Sequence, residues 1–350
     1  MNKLLETTQK FPQTEVWNDS CSYRELSYAV ENGASGATTN PVIVYNVLKN
    51  ELPEWESTIV KLVEENPSAT EDDIAWKTIK ALGANASTLL LDQYHETKGQ
   101  KGRISFQTNA KYFTNKDLMV KQAIDLASTV ENSQIKVPAS KAGVEAVEEL
   151  TYQGVSINAT VSFTVAQAIA VAEAVERGLA RREAEGKDTS WMHPVCTIMV
   201  GRVDDYLKNY YKSTDTLVST EAYEMAGVAV FKKAYKLYKE RGYRTKLLVA
   251  AFRNRHHFEE FIGGDVVLTI TYGWQKKYNG SNVEIVEHMS EDVDPKILAE
   301  LLALDEFVKA YDENLPMEDF QNYGAFKATI NQFLNGYDSL VQLIRKYVVK

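Results

Sequence analysis

Short apolar runs rich in β-branched residues recur along most of the chain, each ending in polar residues, glycine or proline. Eight of these runs have the length and composition of β-strands. They lie at residues 15–20, 36–41, 102–109, 133–138, 155–161, 194–200, 246–252 and 266–271. Because most of them are continuously apolar rather than alternating, they predict a parallel sheet that is covered on both faces.

Helical periodicity follows nearly every predicted strand. In residues 140–153, for example, Val144, Val147 and Leu150 fall on one face of a helix. The other predicted helices span residues 23–32, 42–49, 51–91 with a break at 66–70, 117–131, 164–182, 221–241 and 258–263. The chain from about residue 275 onward is also predicted to be mostly helical.

This alternation predicts the class of fold. Eight strand–helix units in succession are typical of an α/β protein with a closed (β/α)8 TIM barrel, here with additional C-terminal helices. We expect a single domain over residues 1–350, with a barrel core at approximately 15–275 and a helical C-terminal extension at 276–350. The charged segment 92–101 is predicted to be an exposed loop. A doubly wound open sheet is the alternative, and it is weakened because no Gly-rich nucleotide-binding turn follows the first strand.

Composition and charge narrow the classes of function. The 350 residues carry a formal net charge of −9, which disfavours nucleic-acid binding but allows a local basic pocket for an anionic small molecule. The two cysteines, Cys21 and Cys196, are far apart in the chain and lack metal-ligand spacing. They suggest a reducing compartment and no framework of structural disulfides. The polar N-terminus lacks the apolar core of a secretory signal, and the most apolar stretch, 159–175, is too polar and short to span a membrane. We therefore expect a cytoplasmic protein with no membrane or nucleic-acid partner.

Polar side chains stand where the predicted strands end, which is where barrels of this class place their active sites. They are Asp19, Asn40, Gln107, Asn109, Lys136, Asn158, Thr160, Arg202 and Arg253. If the barrel closes, all of them converge on one mouth. A lysine, an aspartate, several amides and two arginines suit a carbonyl compound that carries an anionic group.

Lys136 lies inside an apolar strand, and two interpretations are open from this segment alone. An ammonium in a buried strand is costly unless it is paired or loses its proton, and a lysine that loses its charge easily is a nucleophile for Schiff-base formation. The other interpretation is an ordinary strand-end lysine with its ammonium in solvent, which the segment by itself favours. The polar residues at the neighbouring strand ends reverse that preference.

Ordinary structural roles compete with chemistry at the other strand ends. Asp19 could cap the following helix, and Asn40 with Pro41 suits a turn. Each arginine alone is typical of a surface salt bridge, whereas two at neighbouring strand ends favour an anion site. His256 and His257 lack metal-ligand spacing, so we expect loop histidines in solvent rather than a zinc site.

Taken together, these pieces resemble the transaldolase and fructose-6-phosphate aldolase family. The matching pieces, in the same order and on the same strands as in the family, are Asp19, Gly36–Pro41, Ile135–Pro138, Asn158–Thr160, Val200–Arg202 and Phe252–Asn254. The resemblance covers about residues 15–275. It implies a class I aldolase or transaldolase, which works without a metal or another cofactor.

The resemblance also implies a role for each matching residue. Lys136 would form the Schiff base, and Asp19 would act as acid and base in carbon–carbon cleavage. Thr160 would help to hold the catalytic water. The substrate-binding set would be Asn40 and Asn158 for hydroxyl groups or for positioning the lysine, Arg202 and Arg253 for the phosphate, and Asn109 and Thr197 beside them.

Several rim positions depart from the family pattern. Gln107, which we count among the catalytic residues, stands where transaldolases have a glutamate that orients the water of proton transfer; fructose-6-phosphate aldolases have glutamine there. Asn109 aligns with a family aspartate. Ala251 replaces a serine that helps to bind phosphate, Met199 replaces an aromatic residue, and Thr197 replaces a serine. These changes leave open whether the anionic group of the substrate is a phosphate or a sulfonate.

The resulting hypothesis is a transaldolase-like enzyme of carbohydrate metabolism. It would transfer a dihydroxyacetone unit from a ketose with an anionic group to an aldehyde acceptor through a lysine Schiff base. The alternatives are an aldolase that cleaves or forms the C3–C4 bond without obligate transfer, a sugar-phosphate-binding relative without turnover, and an unrelated barrel enzyme. We also expect a homo-oligomer, because the apolar face of the C-terminal helices suits either a subunit contact or a cover for the barrel.

Overall fold

Eight parallel strands close into a barrel in a computed structural model of the protein, which describes residues 2–349. The strands are β1 Glu15–Asn18, β2 Ala34–Thr38, β3 Arg103–Gln107, β4 Ser133–Pro138, β5 Ile157–Ser162, β6 Val195–Ile198, β7 Lys246–Val249 and β8 Val266–Ile270. They pair in sequence order, and β1 pairs with β8 to close the ring. The predicted (β/α)8 TIM barrel is therefore confirmed.

Helices surround the barrel and extend beyond it. They are α1 Lys3–Lys10, α2 Tyr23–Glu31, α3 Pro41–Asn50, α4 Leu52–Glu65, α5 Glu71–Ser87, α6 Leu91–Glu96, α7 Lys116–Ala127, α8 Lys141–Gln153, α9 Val165–Ala184, α10 Val200–Tyr211, α11 Thr220–Arg241, α12 His256–Glu259, α13 Tyr272–Asn279, α14 Pro295–Leu302, α15 Asp305–Tyr311 and α16 Gly324–Val348. Short 3₁₀ turns lie at Thr88–Leu90, Ala110–Tyr112 and Met317–Asn322. Among residues 2–349, none of these helices combines the length and the apolar character needed to cross a membrane.

Helices α6 and α10 lie in segments that were not predicted to be helical. The segment predicted to be an exposed loop contains α6, whose Tyr94 is buried against the guanidinium of Arg103, 5.1 Å from its ring centre. The chain after β6 forms α10 at once, although the next helix was expected only at residue 221. The glycine in the first turn of α10 resembles a strand terminator, whereas Val203, Leu207 and Tyr211 have the four-residue spacing of a buried helical face.

The prediction of helix from about residue 275 to the C-terminus is only partly correct. The segment 280–294 between α13 and α14 and the segment 312–316 after α15 contain no helix. Helix α1, which precedes the barrel, was not predicted at all.

A bulge at the end of β5 shapes the rim of the barrel. Ala159 pairs with Cys196 and Ser162 pairs with Ile198, so β5 has one residue more than β6 between these pairs. Val161 takes up the extra length with a φ of 53°, which is rare for a β-branched residue. The buried side chain of Gln167 donates to the Val161 carbonyl at 3.2 Å and accepts from the Phe163 N–H at 2.9 Å, so it satisfies backbone groups that the bulge removes from the ladder.

The long helix α16 lies on the side of the barrel where the strands end. Near its start, the Phe326 ring is centred 6.0 Å from that of Phe113, which follows β3. Further along, α16 packs so closely on α3 that a Cβ added to Gly336 would come within 2.6 Å of Val42. The helix therefore passes beside the same loops that carry the predicted site residues.

Candidate active site

Lys136 lies in the middle of β4 and is almost completely buried, with 4% of its surface exposed. It pairs in register with Gln107 on β3 and with Asn158 on β5. Its ammonium makes no hydrogen bond or salt bridge with any residue from 2 to 349. Burial lowers the pKa of Lys136, and the carboxylate of Asp19 opposes this shift. The alternative interpretation of Lys136, an ordinary strand-end lysine with its ammonium in solvent, is therefore wrong.

This unpaired buried charge predicts a stability effect. We expect Lys136→Met to raise the free energy of unfolding at neutral pH by about 1–3 kcal/mol, because a similar volume replaces a desolvated ammonium. A lysine whose folded pKa is lowered binds more protons when unfolded, so wild-type stability rises as pH approaches the ordinary lysine pKa. Denaturant unfolding at several pH values should therefore show an advantage of the variant that shrinks toward alkaline pH. A variant less stable than wild type at neutral pH would contradict this.

Asp19 directly follows β1 and faces the same barrel mouth. Its N–H donates to the Ile270 carbonyl at 3.0 Å, and its Oδ1 accepts from the Thr38 hydroxyl at 2.7 Å. Burial raises the pKa of Asp19, while the charge of Lys136, the Thr38 hydroxyl and both barrel-mouth arginines act to lower it. The competing interpretation of Asp19 as a helix cap is wrong, because Ser22 caps α2.

Asn158 and Thr197 form one hydrogen-bonded unit inside the barrel. The Thr197 hydroxyl donates to Asn158 Oδ1 at 2.7 Å, and Asn158 Nδ2 donates to the Ser105 hydroxyl at 3.1 Å. All three side chains are buried. Ser105 was not predicted, although it lies two residues before Gln107 and therefore on the same face of β3. The unit holds the Asn158 amide beside Lys136, which suits a positioning role for both Asn158 and Thr197.

Two buried polar atoms on the strands next to β4 have no partner among the described residues. They are Gln107 Oε1 at the end of β3 and Thr160 Oγ1 near the end of β5. These two strands are the neighbours of β4 on either side. Buried polar atoms without a partner are costly, so this arrangement is typical of a place where substrate or water completes the hydrogen bonding.

The side-chain oxygens of Asn40 and Asn109 each accept hydrogen bonds from nearby backbone N–H groups. Asn40 Oδ1 accepts from the N–H groups of Val42 and Ile43, both at 3.0 Å, and so caps α3. Asn109 Oδ1 accepts from the Lys111 N–H at 3.0 Å. In both residues the amide nitrogen has no hydrogen-bond partner within residues 2–349. The turn interpretation of Asn40 is confirmed, and the free donor is compatible with substrate binding as well.

The two arginines have unequal surroundings. Arg202 lies in the first turn of α10, not at a strand end, and its Nε is buried without a partner among the described residues. Burial and the charge of Arg253 lower the pKa of Arg202. Arg253 is exposed and donates from Nε to Asp205 at 2.8 Å, so for this residue the surface salt bridge is also present. An anion between two such cations would relieve their repulsion.

The sequence interpretation missed a buried histidine next to the arginines. His257 is fully buried and its Nε2 lies 2.7 Å from Asp204 Oδ2, so the expectation of a solvated loop histidine is wrong. The apolar neighbours Phe252 and Phe258 were the available signal for burial. Within residues 2–349, no three His, Cys, Asp or Glu side chains gather in a metal-binding arrangement.

Neither cysteine offers a competing nucleophile. Cys21 and Cys196 are buried and make no disulfide. Burial raises the pKa of each thiol to about 12. A thiol in that state holds its proton at neutral pH and reacts poorly. Among the described side chains at the mouth, the buried amine of Lys136 is the better candidate for attack on a carbonyl.

Comparison with known proteins agrees with the geometry. The family described as Transaldolase/Fructose-6-phosphate aldolase matches residues 16–337. A transaldolase of Thiobacillus denitrificans (strain ATCC 25259 / T1) is 31% identical over 214 residues, which are 60% of this chain and 58% of that protein. A transaldolase of Neisseria meningitidis serogroup A is 27% identical over 230 residues, covering 63% of this chain and 62% of that protein. The matched region thus spans less than two thirds of these relatives. With a match over most of its length, the chain belongs to the transaldolase/fructose-6-phosphate aldolase family.

Proposed function

We propose that the protein transfers a dihydroxyacetone unit from an anionic ketose to an aldehyde acceptor through a Schiff base on Lys136. The observation that carries this proposal is the buried, unpaired Lys136 amine on β4, whose neighbouring strands β3 and β5 carry the orphaned polar atoms of Gln107 and Thr160, with Asp19 in electrostatic range. Family membership supports the same class of reaction.

The first half of the reaction uses Lys136. A pKa lowered by burial increases the fraction of neutral amine at neutral pH. The lone pair of Nζ adds to the ketose C2 carbonyl, and loss of water with uptake of one proton from solvent gives a protonated imine; hydrolysis returns that proton. Thr160 Oγ1 and Gln107 Oε1 are placed to hold that water or a substrate hydroxyl, because each is buried and lacks a partner among residues 2–349.

The second half uses Asp19. The carboxylate takes the proton of the C4 hydroxyl, the C3–C4 bond breaks, an aldehyde leaves, and the electron pair passes through C3 to the imine nitrogen as an enamine. The enamine then attacks the acceptor aldehyde, and Asp19 returns its proton to the new alkoxide. Hydrolysis of the imine releases the product. A carboxyl whose pKa is raised by burial is better matched to such proton transfer than an ordinary aspartate.

The anionic end of the substrate is proposed to lie between Arg202 and Arg253. We expect Arg253→Gln to raise KM for fructose 6-phosphate about 10- to 100-fold, the equivalent of one charge-assisted hydrogen bond. The variant should leave Schiff-base formation with dihydroxyacetone unchanged, since that molecule has no anionic group. Steady-state kinetics and borohydride trapping measure the two properties. Arg255→Gln is the matched control, because Arg255 is exposed and pairs with Glu259 in the same short helix. Equal effects of both variants would contradict the assignment.

The experiment that tests the function is a comparison of product formation with and without an acceptor. The wild-type protein is incubated with fructose 6-phosphate alone and then with an added aldose phosphate, and products are identified by mass spectrometry. Transfer predicts a new ketose only when the acceptor is present. Absence of any carbon–carbon cleavage over a panel of ketoses would contradict the proposal and leave a sugar-phosphate-binding relative.

One observation favours the aldolase alternative. Gln107 supplies an amide, not a carboxylate, directly opposite Lys136 in the β3–β4 register. With no carboxylate at this position, the aldolase alternative ends differently: the enamine takes up a proton at C3, and water then hydrolyses the resulting imine to free dihydroxyacetone and the Lys136 amine. In the same experiment, this alternative predicts dihydroxyacetone from fructose 6-phosphate in the absence of any acceptor.

A further inference from the structure

A buried hydrogen-bonded cluster lies directly behind the two arginines. It consists of Asp204 on α10 with His257 and Asn254 from the segment after β7, and we call it the Asp204 cluster. The His257 ring is fully buried and Asp204 is only 5% exposed. His257 Nδ1 accepts from the Arg253 backbone N–H at 3.0 Å, so the ring proton is on Nε2, which donates to Asp204 Oδ2 at 2.7 Å.

The Asp204 cluster also ties a third element to this end of the barrel. Asp204 Oδ1 accepts from the Gly227 N–H of α11 at 2.9 Å. Asn254 Oδ1 accepts from the His257 N–H at 3.2 Å, and Asn254 Nδ2 donates to the Glu224 carbonyl of α11 at 3.1 Å. Helix α10, helix α11 and the segment after β7 are thereby held in one arrangement.

Each arginine is attached to this cluster by its own backbone. Arg202 lies two residues before Asp204 in the same helix, and the Arg253 N–H is itself bonded to His257. The two segments meet without a side chain between them at Gly201. A Cβ there would lie 2.0 Å from the Ala251 carbonyl and 2.6 Å from Arg253 Cγ. The position of one arginine relative to the other is therefore set by the contact that the cluster maintains.

The arginines themselves do not favour this arrangement. Their like charges repel, and the charge of Arg253 contributes to lowering the pKa of Arg202. The Arg253–Asp205 salt bridge is about 40% exposed on both sides, at 39% and 45%, and such pairs contribute little. The buried hydrogen bonds of Asp204 and His257 act in a low-dielectric environment, where they are stronger and more costly to break.

We propose that Asp204 and His257 are positioning residues that set the spacing of Arg202 and Arg253 and thereby determine the affinity for the anionic end of the substrate. They take no part in bond making or breaking at Lys136. This inference rests on the anion-binding part of the proposed function. Asp204 and His257 would thus influence the choice of substrate without contacting the substrate.

The test is the isosteric variant Asp204→Asn. Asp204 accepts from His257 on one oxygen and from the Gly227 N–H on the other, and asparagine has only one acceptor oxygen, so the cluster loses one of these two hydrogen bonds at constant volume. We expect KM for fructose 6-phosphate to rise about tenfold with kcat within about twofold, because weaker binding of the anionic end reduces ground-state and transition-state binding alike. The concentration of dihydroxyacetone that half-saturates borohydride trapping on Lys136 should not change.

A control variant and a replacement variant accompany Asp204→Asn. Glu291→Gln is the matched control, because it alters an exposed pair in which His288 Nδ1 lies 2.9 Å from Glu291 Oε2. If Asp204→Asn does not fold, His257→Asn replaces it, since its carbonyl can still accept from the Arg253 N–H. An equal rise in half-saturation for fructose 6-phosphate and dihydroxyacetone, or a loss of kcat at constant KM, would overturn the inference.

Inorganic phosphate separates this inference from the proposed reaction. Thermal unfolding with increasing phosphate should show stabilisation of the wild type and a weaker effect in Asp204→Asn. That result would support the positioning role even if no imine forms with any ketose. Equal stabilisation of both proteins by phosphate, or none in the wild type, would overturn it.

Discussion

Replacing Lys136 by methionine is expected to lower kcat/KM at least about 10⁴-fold, because the reaction loses its nucleophile and no other described group at the mouth can take its place. Methionine keeps the length of the side chain and removes the amine, so the barrel should remain folded, in line with the stability gain expected above. The measurement is the rate of ketose cleavage in the presence of an acceptor aldehyde. Lys121→Met is the matched control, since Lys121 is an exposed residue of α7.

The activity of Lys136→Met distinguishes a Schiff-base enzyme from an unrelated enzyme with the same fold. A Lys136→Met protein that keeps full activity would indicate an unrelated reaction on the same fold. Retained binding of fructose 6-phosphate without turnover is the result expected for the proposed mechanism, because the anion site is made by other residues. Circular dichroism and thermal unfolding of both variants exclude misfolding as the cause of any loss.

Asp19→Asn is expected to have the second largest effect. We predict that kcat for cleavage falls about 10²- to 10⁴-fold, the usual contribution of a positioned general acid or base. Imine formation should persist, because Lys136 is unchanged and asparagine can still accept from the Thr38 hydroxyl. Borohydride trapping with dihydroxyacetone together with steady-state kinetics distinguishes the two steps. A variant that loses trapping and turnover equally would contradict the assignment of Asp19 to bond cleavage.

The pH profile gives an independent check on Asp19. Since burial raises the pKa of this carboxyl, its base form is lost at a higher pH than in an ordinary aspartate as the medium becomes acidic. The acid limb of kcat should therefore lie above the usual aspartate range in the wild type and disappear in Asp19→Asn. Asp125→Asn is the control, because Asp125 is largely exposed and pairs with Lys80 at 2.7 Å. An unchanged acid limb in Asp19→Asn would exclude Asp19 as the titrating group.

The barrel was predictable from the chain because its strands are buried on both faces. Continuous β-branched runs such as Val266–Ile270 have no polar alternation that would suggest an antiparallel sheet. Helix α10 was not predictable in the same way. Its first residues continue the apolar pattern of β6. Gly201 packs closely on the segment after β7, a contact that only the folded structure reveals.

The site was predictable where position along a strand decides it. Lys136, Gln107 and Asn158 share one level of the sheet because their registers match, and the strand ends alone suggested that they meet. The bulge at Val161 could not be predicted from the sequence, since its conformation depends on the side chain of Gln167 in the next helix. The hydrogen bond between His257 and Asp204 was hidden for the same reason.

Several expectations from the sequence stay predictions. They are the assignment of residues 1–350 to one domain, the homo-oligomeric state, and the individual roles of the residues at the barrel mouth. The roles are the most accessible, because the variants above separate anion binding, imine formation and bond cleavage. Met199 and Ala251 at the rim remain the positions at which the preference for phosphate or sulfonate can be examined.

Borohydride trapping followed by peptide mass spectrometry shows whether Lys136 forms a Schiff base with the substrate. Wild-type protein is incubated with dihydroxyacetone or fructose 6-phosphate, reduced, and digested. One added, reduced dihydroxyacetone unit is expected on the peptide that contains Lys136, and none in Lys136→Met. A stable adduct on a different lysine, or no adduct with any ketose, would contradict Schiff-base chemistry at Lys136.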